Sequence, residues 1–580
     1  MNSLSIFVTR ALFGCSLLLT VLWSGVTSAQ TPADIEAAQR QAEIIQRQEQ
    51  DRLQRDLEEA RRRAERVDGL DTQKLLPKID VPAIGAVCRD IGIITLTGTT
   101  KIPGWEQKVI TDKFVNRCLN VGDIENLLAE ITRLYIERGF VAARAYLPPQ
   151  DLSKGSLIIL VIEGAVEKIV IEDGDSKSVS VLNVFPGVEG AVLNLRDLEQ
   201  GIDQINRLSS NNAQLDIQPG DNPGASRVVV RNQPGFPLHF YLSTDNQGSA
   251  STGDKQTGIT ATADNVLGFN EMFSVTRRES LPRDRGRKYS ASDTLSLSIP
   301  YGYSTLSLSS SYSVYDSTIR VPSGLELIAS GNSKTDNVRL DRVVYRDQSS
   351  RASMSATLTT KQSRNFLDAQ LLGVSSRSLT VLDLDGTVST VLAGGIISLD
   401  LGYAKGLDKA GALKDPDNLP FSAPRAQFGK IKAGFNYARP FSLVGKNFSF
   451  NSQFTSQKAE STLYGSEQIS IGGIYSVRGF VTNTLSGDDG YYWRNEISAR
   501  QPVVIGNETI GTRLYMGYDS GAVRNRAANV PEGRLTGMVI GVSANWRGAS
   551  WDLFATRPLS LPDNMTKESS QTWFRVSYSF

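Results

Sequence analysis

The last seven residues of the chain, FRVSYSF at positions 574–580, decide the fold. Every second residue from Phe574 to Phe580 is aromatic or aliphatic, and the residues between them are Arg or Ser. Because successive side chains of a strand point to opposite faces, this segment predicts a strand with one apolar and one polar face. The chain also ends on aromatic residues, which makes Tyr578 and Phe580 candidates for a C-terminal barrel signal. Such a segment is typical of a transmembrane strand between lipid and a wet lumen.

The same alternation extends back along the chain to about residue 235. Alternating segments separated by Gly, Asp, Asn and Pro turns fill 235–580, with clear cases at 295–301, 306–314 and 447–454. A soluble β-sandwich also alternates, but it turns its polar face to water and needs no terminal aromatic strand. Together with the export signal described next, the pattern favours an all-β transmembrane barrel over 235–580.

Residues 1–29 have the composition of a secretory signal peptide. Arg10 precedes an apolar stretch that ends near Val26, and Thr27 to Ala29 offer small residues for cleavage. This stretch is shorter than the roughly 20 residues that a membrane-spanning helix needs. Lipidation at Cys15 is a weaker alternative, because too little apolar sequence precedes that cysteine. An exported chain whose sequence offers no spanning helix would have to cross a bilayer as a closed barrel.

Several parts lie between the signal and the barrel. Residues 30–67 are rich in Gln, Glu, Arg and Ala and predict one helix, about 50 Å long, that could serve as a pore plug or a solvated spacer. Its composition alone favours the spacer. Glycine and proline mark 68–83 as a linker. Two α+β units with the order strand, helix, helix, strand, strand follow at 84–164 and 165–234, which indicates a tandem repeat.

The first of these units contains a cysteine pair. The pattern predicts helices over 106–118 and 123–138, the second capped by Asp123. Once the signal is removed, Cys88 and Cys118 form an even pair in an exported chain, so a disulfide is favoured over two free buried thiols. Closing that loop would constrain the unfolded chain by about 3–4 kcal/mol.

Composition and motifs argue against several classes of function. Lys plus Arg total 62 and Asp plus Glu total 61, so no basic footprint points to nucleic acid. His239 is the only histidine, which argues against a multi-histidine zinc site or a His-paired nucleophile; we interpret it as a surface residue where a strand begins. The sequence also lacks a phosphate-binding Gly-x-x-x-x-Gly-Lys-Ser/Thr loop. We therefore expect no cofactor, no metal and no enzymatic activity.

From Cys88 through Val230 the chain resembles the paired POTRA domains of two-partner secretion transporters, the hemolysin-activator family. The resemblance is carried by short stretches at 88–91, 117–119, 135–140, 146–152, 194–201 and 217–220. In the barrel region, the segment from Ser476 to Phe480, SVRGF, is similar to the lumen-loop motif shared with the wider barrel-assembly superfamily. Loops such as 280–290 and 405–425 carry nothing that matches.

This resemblance implies both a fold and a function. The expected fold is an N-terminal plug helix, two α+β POTRA domains in the periplasm and an outer-membrane barrel of about 16 antiparallel strands. The expected activity is recognition of an unfolded adhesin- or hemolysin-type exoprotein by the POTRA domains and its secretion through the barrel. The implied partners are that exoprotein with its N-terminal secretion domain, outer-membrane lipid and the barrel-assembly machinery. Against this background, a plug is preferred over a spacer for residues 30–67.

The resemblance also singles out Val477, Arg478, Gly479 and Phe480 as site residues and places Arg478 inside the lumen. A charge held away from bulk water needs a partner, and the family's partner is an acidic residue of the barrel wall. An arginine that pairs bidentately with a carboxylate would fix the position of the loop. The alternative is that Arg478 is only a solvated loop residue.

Strand parity selects the acidic candidates for this pairing. Leu514, Met516 and Tyr518 alternate outward, so Asp519 should face the lumen and is the first candidate. Glu496 is the second candidate, because the neighbouring aromatic and aliphatic residues of its strand have the opposite parity.

Other functions remain as alternatives. A barrel-assembly-type insertase for outer-membrane proteins would share the Arg478 loop, but that class usually has more POTRA units and no plug helix. A passive porin would need neither POTRA domains nor the loop. A surface adhesin or barrel enzyme has no support from any catalytic set in the sequence.

Overall fold

The computed structural model describes residues 44–45, 87–173, 178–321 and 323–580. The predicted signal peptide (1–29) and linker (68–83) lie outside the described residues, as does the predicted helix of 30–67 except for Ile44 and Ile45. These two residues are helical, and Ile45 is 1% exposed. Within the described ranges, no helix is both long and apolar enough to cross a bilayer.

The first α+β unit contains a three-stranded sheet and a separate strand pair. Its elements are β1 (Arg89–Ile91), β2 (Ile93–Thr97), α1 (Gly104–Thr111), β3 (Arg117–Leu119), α2 (Val121–Glu137), β4 (Arg144–Tyr146) and β5 (Ser156–Ile162). The sheet order is β2-β5-β4, with β5 parallel to β2 and antiparallel to β4, while β1 pairs with β3. The strands β2 and β4 are therefore the two edges of the sheet.

Helix α2 holds this unit together. Ile124, Leu127, Ile131 and Tyr135 recur at helical spacing and pack against the inner face of β5. Each fully buried aliphatic side chain of this kind contributes about 1.5–3 kcal/mol. The helix begins after Asn120, which exchanges capping hydrogen bonds with Asp123, so the predicted Asp123 cap was wrong by one turn.

The predicted helix over 106–118 is also too long. Residues 117–119 form β3, whose pairing with β1 satisfies the backbone around Cys118 that a helix would otherwise satisfy. The disulfide between Cys88 and Cys118 closes beside this pair, with Cα atoms 5.3 Å apart.

The second α+β unit repeats the plan. It comprises β6 (Ala165–Glu172), α3 (Val181–Val184), α4 (Leu195–Asn206), β7 (Gln214–Pro219) and β8 (Ala225–Arg231), with the sheet order β6-β8-β7. Asn194 caps α4, since its side chain accepts a hydrogen bond from the backbone N–H of Arg196. Gly201 lets α4 approach its neighbour closely, because a Cβ there would lie 2.0 Å from the ring of Phe185.

Sixteen long antiparallel strands and the two-residue β16 form a closed barrel, which confirms the predicted fold class. The first twelve strands of the barrel are β9 (Leu238–Asp245), β10 (Gln256–Asp264), β11 (Met272–Ser280), β12 (Lys288–Tyr301), β13 (Ser304–Arg320), β14 (Glu326–Arg346), β15 (Ser350–Leu367), β16 (Gln370–Leu371), β17 (Arg377–Leu392), β18 (Gly395–Leu407), β19 (Gly429–Leu443) and β20 (Lys446–Ala459). The short β21 (Ile469–Ile471) and β22 (Leu485–Gly487) pair only with each other. The last strands are β23 (Asp489–Ile505), β24 (Glu508–Arg524), β25 (Gly533–Trp546), β26 (Ala549–Ser560) and β27 (Gln571–Ser579).

The barrel closes between its first and last strands. The register from Tyr241–Ser579 to Asp245–Arg575 joins β9 to β27. Beyond it, Phe240 and the terminal Phe580 exchange backbone hydrogen bonds of 2.9 and 3.0 Å, and their rings stack. Closure leaves no sheet edge in the hydrocarbon, where an unpaired backbone group would cost several kcal/mol. The terminal aromatic residue therefore lies at the seam.

The two faces of the wall differ as the sequence pattern predicted. Leu514, Met516 and Tyr518 are exposed on the outer face of β24, while Tyr515 and Asp519 on the inner face are buried. The inner positions of β12 and β13 are mostly Ser and Thr, and pairs such as Thr294 with Ser311 lie within hydrogen-bonding distance across strands. The lumen is polar and the outer wall is apolar, as lipid requires.

Candidate functional site

The segment between β20 and β23, residues 460–488, folds into the barrel and is called the lumen hairpin here. The strands β21 and β22 form its stem. Val477 and Phe480 are fully buried in a cluster that joins the hairpin to Val523 and Leu535 on the walls of β24 and β25. The motif that the sequence singled out is therefore packed against the last strands of the barrel.

Arg478 lies between both acidic candidates. Its Nε is 2.6 Å from Asp519 Oδ2, its Nη2 is 2.9 Å from Asp519 Oδ1, and its backbone N–H donates to Asp519 Oδ2 at 3.0 Å. Its Nη1 donates to Glu496 Oε2 at 2.8 Å. Burial disfavours the charged form of Arg478, but Asp519 and Glu496 outweigh it and raise the pKa of the guanidinium above its ordinary value. Because the guanidinium pairs with Asp519 through two of its nitrogens, the contact fixes both the position and the orientation of the hairpin tip.

Glycines of the wall admit the hairpin backbone. A Cβ on Gly537 would lie 1.8 Å from the carbonyl oxygen of Arg478, and one on Gly517 would lie 2.7 Å from its Nη2. Gly479 itself has a φ of +130°, which a residue with a side chain rarely adopts. The tip therefore fits this wall only because these positions are glycine.

Three more carboxylates hold the hairpin, and sequence reasoning missed all of them. Glu568 accepts hydrogen bonds from the backbone of residues 481–483. Asp488 is 0% exposed and accepts the backbone N–H groups of Leu463 and Arg526. Glu467 pairs with two lysines of the wall. Each lies in a loop or turn and has partners distant in sequence, so no local pattern could have identified it.

The second α+β unit is fastened to the barrel mouth by buried polar contacts. Arg346, the last residue of β14, pairs with Asp203 at 2.6 Å and with Glu199 at 3.4 Å, and all three side chains are mostly buried. Tyr303 donates to Asp197 at 2.6 Å. Burial and this hydrogen bond raise the pKa of Tyr303, so its hydroxyl remains a donor at neutral pH. These contacts fix the unit at one end of the barrel.

The remaining predicted residues lie apart from the lumen hairpin. Cys88 and Cys118 are in the first unit, while Tyr578 and Phe580 are at the barrel seam. His239 lies near the start of β9, as expected, but its Nε2 is 3.2 Å from Asp264 and its side chain is only about one-third exposed. No group of His, Cys, Asp and Glu in the part of the chain that the structure describes has the arrangement of a metal site.

A closed antiparallel barrel with a buried lumen hairpin and two tandem α+β units, the second of which is fastened to one mouth, defines the class of outer-membrane β-barrel proteins with POTRA domains. Residues 224–544 match the haemolysin secretion/activation protein family ShlB/FhaC/HecB, residues 90–164 match the ShlB-type POTRA domain, and residues 165–219 match a further POTRA family. The chain belongs to this haemolysin secretion/activation family, whose members are two-partner secretion transporters of the outer membrane.

Similar proteins cover nearly the whole chain. The outer membrane transporter CdiB of Dickeya dadantii (strain 3937) is 31% identical over 574 residues, 98% of each protein. The hemolysin transporter protein ShlB of Serratia marcescens is 32% identical over 89% of this chain and 90% of its own. The solved structure of CdiB from Escherichia coli superposes with a TM-score of 0.84 at 30% identity, covering 95% of this chain and 99% of that one. The chain is thus an outer-membrane transporter with periplasmic POTRA domains that works with a secreted exoprotein.

Proposed function

We propose that POTRA1 (the first unit) captures an extended, unfolded segment of the exoprotein and that POTRA2 (the second unit) delivers it to the barrel mouth. The observation that carries this proposal is the buried junction of Arg346 with Glu199 and Asp203, because it holds a periplasmic domain against the opening of a closed barrel. A client captured on the POTRA domains is thereby kept next to the pore, which raises its effective concentration there.

The sheet of POTRA1 supports the capture step. Its outer face carries Tyr146, Ile158, Leu160 and Ile162, which are between 38% and 49% exposed. An apolar patch of this kind in an aqueous compartment is typical of an interaction site. The edges β2 and β4 could also pair with an extended client through backbone hydrogen bonds, while the apolar face takes its alternate side chains.

The N-terminal helix is proposed to plug the pore at rest. The single described feature that supports this is the burial of Ile45 in a helical conformation. In a helix rich in Gln, Glu and Arg, burial of an isoleucine requires contact with another surface. We further propose that the barrel-assembly machinery inserts the chain into outer-membrane lipid through the seam residues Tyr578 and Phe580, and that the protein has no enzymatic activity.

Co-expression with a large exported protein encoded beside this chain tests the proposal. The partner should reach the medium or the cell surface only when this protein is present. Leu160→Ser in POTRA1 should lower export severalfold, since it removes an apolar contact from the patch. Val121→Ser is the matched control, because Val121 is 67% exposed on helix α2, away from the patch. Equal export by both variants would refute capture on this face, and no export with the wild-type chain would refute the whole proposal.

A further inference from the structure

We infer that Glu467, gripped by Lys361 and Lys430, is a second anchor of the lumen hairpin and positions the segment that carries Arg478. This inference goes beyond the proposed function and does not depend on it, because it concerns how the hairpin is held inside the barrel. The motif around Arg478 fixes the tip of the hairpin. The Glu467 anchor fixes its other end, at the point where the chain leaves β20.

The barrel wall holds Glu467 through ion pairs to its carboxylate and hydrogen bonds to its backbone carbonyl. Lys361 Nζ on β15 is 2.7 Å from Glu467 Oε1, and Lys430 Nζ on β19 is 3.1 Å from Oε2. Lys430 also donates to the backbone carbonyl of Glu467 at 2.8 Å, and Gln457 donates to the same carbonyl at 2.9 Å. The Glu467 side chain is 2% exposed, and the two lysines are 11% and 9% exposed. Side chain and backbone of one residue are thus both held by the wall.

The charges make the carboxylate indispensable to this arrangement. Burial alone would raise the pKa of Glu467, but the two lysines outweigh it and lower the pKa to about 2, so the group is ionised at every physiological pH. One negative charge lies between two positive charges that are themselves shielded from water. Without it, two buried ammonium groups would face each other, and one or both would have to move toward solvent.

The Glu467 anchor and the Arg478–Asp519 pair contact different strands of the barrel wall. Lys361 is on β15 and Asp519 is on β24, and β17, β18, β19, β20 and β23 stand between these strands. The Glu467 anchor therefore ties the hairpin to a part of the wall that the Asp519, Asp488 and Glu568 contacts do not reach. Contacts on both sides of the lumen define the position of the hairpin and its direction across the lumen. Glu467 is in this sense a positioning residue for the Arg478 motif.

The test measures the accessibility of the hairpin stem in the full-length protein in detergent. Ser470→Cys on β21 places a thiol in the stem, where Ser470 and Ser486 lie within hydrogen-bonding distance across the strand pair. The native cysteines of the first unit are joined in a disulfide and do not react. The labelling rate by a charged maleimide is compared in three backgrounds: Glu467→Gln, the charge exchange Glu467→Lys with Lys430→Glu, and the control Glu326→Gln, which alters an exposed ion pair with Arg320.

Glu467→Gln should raise the labelling rate at least about fivefold, because loss of one partner of a buried ion pair releases the hairpin from the wall, and Ser470 is only partly shielded when the hairpin is seated. The charge exchange keeps one carboxylate and two ammonium groups within the cluster and should return the rate to within about twofold of the parent. Glu326→Gln should leave it unchanged. No rise in Glu467→Gln, or a rise that the exchange does not reverse, overturns the inference, provided that each barrel shows heat-modifiable migration. Labelling needs no exoprotein, so failure of export by the wild-type chain would count only against the proposed function.

Discussion

The ion pair at the hairpin tip allows one prediction to be worked out in detail. Arg478→Ala removes two side-chain hydrogen bonds to Asp519 and one to Glu496. Asp519 is 0% exposed and would be left as a buried charge, whereas Glu496 would keep its pair with Arg513. Breaking a buried pair by removing one partner costs about 3–5 kcal/mol. The fraction of seated hairpin should therefore fall by roughly two to three orders of magnitude.

The assay is export of the co-expressed exoprotein, normalised to the amount of barrel that shows heat-modifiable migration. Arg478→Ala should insert into the membrane normally but export at least about tenfold less partner, since the apolar packing of Val477 and Phe480 retains part of the seated state. Adding Asp519→Ala should recover part of the loss, because it removes the stranded charge. Arg320→Ala, in an exposed pair, is the control and should export normally.

Two results would refute this reasoning. Wild-type export by a properly inserted Arg478→Ala barrel would show that the pair does not hold the working position of the hairpin. A double variant that is impaired by the full sum of the two single losses would show that the residues act independently, contrary to their contact distance.

Three further predictions concern other parts of the molecule. Gly537→Ala should displace the hairpin as Arg478→Ala does, because its Cβ would overlap the Arg478 carbonyl oxygen; wild-type thiol labelling at position 470 would contradict this. Arg346→Ala should loosen POTRA2 at the mouth, because Asp203 loses its counter-charge, while Glu199 keeps its pair with Arg196. The rate of proteolysis between POTRA2 and β9 should rise at least about tenfold; an unchanged rate would show that the junction does not depend on this arginine. Burial alone would raise the pKa of Glu163 in POTRA1, but hydrogen bonds from Thr100 and its neighbours outweigh burial and lower the pKa. POTRA1 should therefore lose stability as the pH falls below about 4.3, where the unfolded carboxylate takes up a proton. If the melting temperature of Glu163→Gln showed the same pH dependence as the wild type, this cause would be excluded.

The barrel could be predicted from the sequence because its signal is local. Period-two alternation sets the face of every residue on a strand, so the last segment alone indicates apolar and polar sides. The closed barrel confirmed this prediction. The strand number came from the family resemblance rather than from the pattern, because alternation carries no information about how many strands close the wall.

The same strand parity predicted that Asp519 and Glu496 face the lumen, and in the structure both contact Arg478. Parity could not identify Glu467, because it lies in a 3-10 turn and its lysines are on strands far away in sequence. The helix ends were misjudged for a related reason. Around Cys118, pairing with β1 overrides local helix propensity, and propensity is the only term visible in a short window.

POTRA2 is attached to one side of the barrel mouth, and this position determines the side from which a client can enter the lumen. Its polar contacts reach the turns after β10 and β12 and the end of β14, all within the first half of the strand order. The rim formed by β18 to β27 belongs to the opposite half. A polypeptide arriving from the periplasm would thus pass over the surface of POTRA2 and enter the barrel on the side of the later strands. Because only residues 232–237 separate β8 from β9, the domain stays close to the first strands, and chain connectivity sets the side of the mouth on which it lies.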